Sequence, residues 1–227
     1  MSVRRPPTHG APVPHRHDPA HPTPASAHHV SPDWWLMVQK FVRHGAGIAS
    51  FAPSSRFLAR MILKGIDWDN TKCIVELGAG TGPVTKELLR RVKPHTKVIV
   101  VELDHDFCNR LRSRFPNADI VEGNAARLDE LLRERGIDKV DHVVSGLPLP
   151  SFPAPLRESI LASSARCLGE MGTFRQLTVM PLVYWRMYRK YFRDVKFGLV
   201  PLNLPPAGVY FCKGYKVPSS TPTTATV

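Results

Sequence analysis

Acidic side chains are scarce in this chain, and long apolar runs and patterned cysteines are missing from it altogether. With 19 Asp and Glu against 31 Lys and Arg, the formal net charge of +12 excludes a preference for cationic partners. It points instead to nucleic acid or to the anionic leaflet of a bilayer, and charge alone does not choose between them. No stretch of about eighteen apolar residues occurs, so no spanning helix is expected. The N-terminus has no apolar core of signal-peptide type, which predicts a cytoplasmic protein, either soluble or peripheral on the inner face of the membrane. Cys73, Cys108, Cys167 and Cys212 are scattered without any Cys-x-x-Cys. They read as buried thiols in a reducing compartment, not as a disulfide framework or a zinc site. Six of the ten histidines (His9, His15, His17, His21, His28, His29) lie in the N-terminal stretch at irregular spacing, and no metal site is expected.

At 227 residues the chain suits one domain of ordinary size flanked by tails. Residues 1–32 are rich in Pro, Ala and His and have too few large apolar groups to offset ordering entropy, so a disordered tail is expected. Residues 33–65 read as amphipathic helices. In the first, Trp34, Val38, Phe41 and Val42 share a face, with Trp35, Lys40 and Arg43 nearby. That pattern suits an interfacial helix and equally a helix packed over the domain. Gly45 and Gly47 follow as a linker, and Pro53-Ser54-Ser55 supplies a breaker and cap for the second helix. The segment reads as a hinged lid or as a static connector. Residues 66–217 carry the strand and turn motifs, and the Ser/Thr-rich 218–227 reads as a second loose tail.

The chain is organised around Cys73-Ile-Val-Glu76-Leu-Gly78-Ala-Gly80-Thr-Gly82 followed by Pro83-Val-Thr-Lys-Glu-Leu-Leu. A short apolar run reads as a buried parallel strand, and glycines at alternate positions then open a helix. Such glycines permit positive φ and close approach of a ligand, here an adenosine-bearing cofactor across the strand end. The spacing is Gly-x-Gly-x-Gly, not the Gly-x-Gly-x-x-Gly that seats a dinucleotide pyrophosphate. Glu76 stands where a carboxylate can face the ammonium end of a zwitterionic ligand. A second run, Val98 to Val101, ends in Glu102, twenty residues after Gly82, placed to accept ribose hydroxyls. A third, Ala118 to Val121, leads to Glu122-Gly123-Asn124-Ala125, where Asn124 can pair with an adenine amino group. Leu128 to Arg135 reads as a helix and Val140 to Val144 as the fourth strand. The loop Ser145-Gly146-Leu147-Pro148 follows at the carboxyl edge of the sheet, where ligands of open α/β sheets bind. Leu156–Leu168 predicts a helix and Thr173–Val179 the fifth strand. Tyr184 to Arg193 predicts a helix with Tyr184, Trp185, Tyr188, Tyr191 and Phe192 on one face and Arg186, Arg189, Lys190 and Arg193 on the other. An aromatic stripe against a cation stripe suits an anionic membrane, an RNA backbone, or simply a helix with an aromatic core face. Val195 to Val200 and Val209 to Tyr215 read as a closing antiparallel pair.

Glu76-x-Gly78-x-Gly80-x-Gly82, the later Glu102 and Gly123-Asn124-Ala125 resemble class I S-adenosylmethionine-dependent methyltransferases. Ala52-Pro53-Ser54-Ser55, the glycine motif, Ser145-Gly-Leu-Pro with Phe152-Pro153, Arg175-Gln176-Leu177-Thr178 and Leu204-Pro205-Pro206-Ala207 narrow this to a resemblance to bacterial phospholipid N-methyltransferases. That family includes ornithine lipid N-methyltransferases and is related to the rRNA adenine dimethyltransferases. The resemblance implies a Rossmann-like α/β fold, a mostly parallel sheet with a C-terminal antiparallel pair, and S-adenosylmethionine on Glu76, Gly78, Gly80, Gly82, Glu102 and Asn124. It also implies successive methylation of the headgroup amine of ornithine lipid or phosphatidylethanolamine, with the N-terminal helices touching the bilayer. In the catalytic loop, backbone carbonyls of Ser145, Gly146 and Leu147 are expected to orient the amine, aided by the Ser145 hydroxyl. Trp34, Trp35, Arg186, Arg189, Lys190 and Arg193 are the expected anionic-membrane contacts. Base chemistry on rRNA is the rival enzyme reading, weakened because Ser145, Gly146 and Leu149 replace an Asn-x-Pro-aromatic loop. A non-catalytic lipid-binding module would need no methyl donor and leaves the glycine motif unexplained.

Overall fold

The computed structural model describes residues 53–178, 184–200 and 207–216. The expected tails, the helix with Trp34 and Trp35, and the glycine linker lie outside the described residues.

Helix α1 (Pro53–Ile62) precedes β1 (Cys73–Leu77), α2 (Pro83–Leu89), β2 (Lys97–Glu102), α3 (His105–Arg114), β3 (Asp119–Glu122) and α4 (Leu128–Arg133). The chain continues through β4 (Val140–Ser145), α5 (Ala154–Cys167), β5 (Leu168–Thr178), α6 (Trp185–Tyr191), β6 (Phe192–Val200) and β7 (Ala207–Tyr215). The strands form one sheet in the order β3-β2-β1-β4-β5-β7-β6. β1 pairs in parallel with both β2 and β4, so the strand order reverses beside it and opens a crevice at the carboxyl ends. β7 is the antiparallel strand, inserted between β5 and β6.

Alternation along the strands explains why both faces are covered. Val75, Leu77, Val143, Phe174 and Tyr210 point to one face and meet Leu128, Leu132, Ile160, Leu161 and Tyr188 from α4, α5 and α6. Ile74, Val98, Val100, Val144 and Val209 point to the other and meet Ala59, Ile62, Val84, Leu88 and Leu111. β1 is buried throughout, as a central parallel strand must be.

α1 lies in the second layer, with Ala59 and Ile62 at 1% and 0% exposure and Leu63, just after it, at 0%, packed with Ile74 and Val209 of the sheet. One expectation changes. The predicted helix 184–193 ends at Tyr191, and Phe192 and Arg193 begin β6. Within its aromatic stripe Tyr188 and Phe192 are fully buried, and Tyr184, Trp185 and Tyr191 are half-buried against the same core. Tyr188 packs on Tyr210 at 4.7 Å between ring centroids, and Phe192 stacks on Phe174 at 5.6 Å. Burying these rings against the sheet removes far more apolar surface from water than an interfacial contact would. α3 has no counterpart among the sequence expectations, because its apolar pattern is weak. Its start is marked by Asp104, whose carboxylate accepts from the Phe107 amide at 3.0 Å.

Candidate active site

The turn after β1 is built on backbone that only glycine adopts without strain. Gly78, Gly80 and Gly82 have φ of 69°, 54° and 80°. A Cβ on Gly78 would sit 2.4 Å from Leu147 Cδ2, and one on Gly82 would sit 2.6 Å from the Phe115 ring. The Gly78 amide donates to the Val101 carbonyl at 2.9 Å, which ties the turn to the end of β2.

Two carboxylates flank this turn, and both are buried. Glu102 caps the sheet edge: Oε2 accepts from Gly80 N–H at 2.8 Å, while Oε1 accepts from Leu103 and Asp104 N–H at 2.8 and 3.1 Å. The side chain expected for ribose is thus pre-oriented by three amides, with lone pairs remaining for hydroxyl donors. Burial raises its pKa and those amides work against the rise. Glu76 lies deeper, at 2% exposure, accepting from the Thr85 hydroxyl at 2.7 Å. Burial pushes its carboxyl up to about 8, which a cationic group placed beside it would reverse. Asn124 caps the short turn at Ala125–Arg127, its Oδ1 accepting from Ala126 N–H at 2.9 Å. The oxygen expected to meet an adenine amino group therefore has one lone pair already engaged.

The 145–147 loop leans over the same turn. Gly146 N–H donates to the Leu77 carbonyl at 2.9 Å, and the fully buried Ser145 hydroxyl accepts from Leu147 N–H at 3.3 Å. The Leu147 carbonyl, expected to be available to an amine, instead accepts from Gln176 Nε2 at 2.7 Å and from Leu149 N–H at 2.8 Å, so both its lone pairs are engaged. Gln176 had no role assigned from the sequence. A wholly buried amide near the end of an apolar strand was the signal that could have marked it.

Glu76, Gly78, Gly80, Gly82 and Glu102 lie at the turn after β1 and the end of β2, and Asn124 follows the end of β3 with its Oδ1 engaged by Ala126 N–H. Leu147 and Phe115 fill the space that side chains on Gly78 and Gly82 would take, and two carboxylates and a loop with fixed polar groups border the turn. This donor and acceptor set fits a nucleoside bearing a zwitterionic tail. A methyltransferase domain profile matches residues 74–172. An ornithine lipid N-methyltransferase of Singulisphaera acidiphila is 50% identical over 187 residues, covering 81% of this chain and 97% of that protein.

The chain belongs to the ornithine lipid N-methyltransferase family.

Outside this family, a ribosomal RNA small subunit methyltransferase A of Thermosynechococcus vestitus is 36% identical over 95 residues, which is 41% of this chain and 32% of that protein. Among solved structures, a 1,6-didemethyltoxoflavin N1-methyltransferase of Burkholderia thailandensis with bound S-adenosylhomocysteine superposes with a TM-score of 0.63 at 15% identity. The match covers 82% of this chain and 91% of that one, and it shows the fold. As a member of the ornithine lipid N-methyltransferase family with this class I fold, the protein is an S-adenosylmethionine-dependent methyltransferase. When bound, S-adenosylmethionine supplies an electrophilic methyl group. Glu102, Glu76 and the Gly78–Gly82 turn would hold it, and the protein's remaining work is to align a nucleophile and exclude water.

Proposed function

We propose that this chain successively methylates the headgroup amine of ornithine lipid at the inner, cytoplasmic face of a membrane. The observation that carries the reading is the 50% identity to a named ornithine lipid N-methyltransferase across 97% of its length. The crevice is consistent with it. An amine is nucleophilic once it has lost its proton, so the site needs positioning groups and a dry environment more than a strong base. Backbone carbonyls of Ser145 and Gly146 are the acceptors offered to the amine N–H groups. Each methyl added removes one such donor, so binding weakens with each round. RNA relatives match only about a third of their own length, and the loop here lacks the aromatic side chain that stacks on a base.

Purified protein with methyl-labelled S-adenosylmethionine is expected to label ornithine lipid vesicles at least about ten-fold above phosphatidylethanolamine vesicles and unmodified ribosomal RNA, with Glu76→Ala as the inactive control. Label in phosphatidylethanolamine would move the headgroup assignment, and label in RNA would replace the reading altogether. Cofactor binding without label in any acceptor would indicate a binding module.

The membrane contact rests on the cation half of α6 and the start of β6. Arg186, Arg189, Lys190 and Arg193 are exposed, and none forms an ion pair among the described residues. No described helix is long and apolar enough to cross a membrane. Surface cations near an anionic leaflet contribute about 1 kcal/mol each and are screened by salt. Replacing all four with Gln should reduce co-sedimentation with anionic vesicles more than about ten-fold while leaving turnover of detergent-dispersed lipid within about two-fold. Unchanged sedimentation would remove this surface from the reading.

A further inference from the structure

We infer that Gln176 is a positioning residue for methyl transfer, setting the 145–147 loop at a fixed height over the glycine turn. This rests on the amine-methylating function proposed above.

Gln176 is wholly buried on β5, in register with Ser145 of β4. Its amide nitrogen donates two hydrogen bonds, to the Leu147 carbonyl at 2.7 Å and to the Leu177 carbonyl at 2.8 Å. Both partners are carbonyls, so the amide orientation is unambiguous. The consequence is a sealed Oε1 with no hydrogen-bond partner. The unpaired acceptor lowers stability while the two bonds from Nε2 raise it, and these contributions oppose each other. The distinctive consequence of a glutamine here is the tie between β5 and the loop.

The Leu147 carbonyl belongs to a segment registered to the cofactor turn at two further points. Gly146 N–H holds the Leu77 carbonyl at 2.9 Å, and a Cβ on Gly146 would lie 2.9 Å from the Gly78 carbonyl oxygen. The Leu147 side chain occupies the space that a Cβ on Gly78 would need. The loop is thus held from β1 by its Gly146 amide and from β5 by Gln176, in contact with the first glycine. Removing the β5 hold leaves the Leu147 carbonyl bonded only within its own turn, to Leu149 N–H at 2.8 Å, so the loop loses its anchor on β5 while the glycine turn and both carboxylates stay untouched. A shift of about 1 Å between reacting groups is enough to cost on the order of a hundred-fold in rate. Cofactor affinity should be spared, because no group bonded to the turn is removed.

The test compares Gln176→Met and Gln176→Glu with the wild type, using the full chain and ornithine lipid in mixed micelles from pH 6 to 9. Both variants should bind S-adenosylmethionine within about three-fold of wild type, keep the lipid KM within about three-fold, and lose about thirty-fold or more in kcat at pH 8. Gln176→Met should melt close to the wild-type temperature, since loss of the unpaired acceptor offsets the two donors lost to Leu147 and Leu177, and Leu147 keeps its bond from Leu149 N–H. Gln176→Glu carries the sharper readout. When protonated, its carboxyl can donate to the Leu147 carbonyl, and burial favours that form as pH falls. Its kcat relative to wild type should therefore rise at least about five-fold from pH 8 to pH 6, while wild-type turnover falls as the substrate amine protonates. A kcat within three-fold of wild type for either variant, or a pH-independent ratio for Gln176→Glu, overturns the inference. If the wild type methylates no amino-lipid, the proposed function fails and the inference falls with it. An active wild type with unaffected variants sinks the inference alone.

Discussion

Gly78→Val is expected to weaken S-adenosylmethionine binding by at least about a hundred-fold while leaving the fold in place. Gly78 sits at φ 69°, where a β-branched residue is a genuine outlier. The left-handed conformation alone costs a non-glycine residue about 1–2 kcal/mol. A Cβ there would meet Leu147 Cδ2 at 2.4 Å and Cγ at 2.9 Å. Leucine is flexible enough to yield, so the chain can still fold, but it yields by moving the loop that faces the cofactor. The backbone strain acts with or without the cofactor and lowers fold stability, whereas the displaced loop and the added side chain at the turn weaken binding, and a hundred-fold loss corresponds to about 2.8 kcal/mol. Calorimetric titration with S-adenosylmethionine measures the loss, and circular dichroism checks that the secondary structure survives. Affinity within about three-fold of wild type would mean that this turn is not where the cofactor binds.

Arg175→Ala is expected to destabilise the protein by about 4 kcal/mol, lowering the melting temperature by roughly 10 °C for a domain of this size. Arg175 is 4% exposed and forms no ion pair among the described residues. Its Nη1 donates to the carbonyls of Ile62 and Lys64 at 2.9 and 2.7 Å, and Nε donates to Thr173 Oγ1 at 3.0 Å. The guanidinium also lies 5.3 Å from the Phe211 ring centroid. The two carbonyls belong to the C-terminal end of α1 and its exit, where helical partners run out. A cation there also offsets the negative end of the helix dipole. Burial brings the Arg175 pKa down to about 10, so the group is still charged at neutral pH. Alanine would leave the buried Ile62 carbonyl and the partly buried Lys64 carbonyl without this donor and open a cavity beside Phe211. Arg175→Lys should recover little, since one ammonium cannot reproduce the planar fork. Chemical denaturation reads the change, and a loss below about 1 kcal/mol for alanine would show that α1 is anchored by its apolar face alone.

These two positions differ in how readable they are from sequence. Gly78 and the carboxylates of Glu76 and Glu102 lie in a local strand-turn-helix pattern whose spacing carries its own geometry, so their convergence is legible from the residues alone. The strands are legible for the same reason: short apolar runs bounded by Gly, Pro or charge have few alternatives. Arg175 and Gln176 lie inside such a run, and their roles depend on residues about thirty or more positions away, at Ile62 and Leu147. No periodicity encodes those partners. The aromatic stripe of α6 is left undecided by the sequence for a different reason. Helical spacing shows that Trp185 and Tyr188 share a face, but it is silent on whether that face meets lipid, RNA or Tyr210. Only the position of β7 decides it. Glu102 is an intermediate case: its place at the end of β2 is legible, and the three amides that orient it come from a turn and a helix start that fold around it.

The position of β7 has a further consequence, for the order of assembly. β7 follows β6 in the chain yet lies between β5 and β6, pairing Thr173 with Lys213 on one side and Val195 with Cys212 on the other. β6 therefore has no place in the sheet until β7 exists. During synthesis, β5 must wait with one side unpaired while α6, β6 and the following segment emerge from the ribosome. Such an exposed strand edge is the kind of template on which nascent chains associate. The hairpin of β6 and β7 can form locally and then dock as a unit, which brings Phe192, Val195, Tyr210 and Cys212 onto the face occupied by Phe174 and Tyr188 in one closing event. A chain truncated before Ala207 would lack the strand joining β6 to the rest of the sheet, and a nascent chain becomes competent to close only when its last described strand is complete.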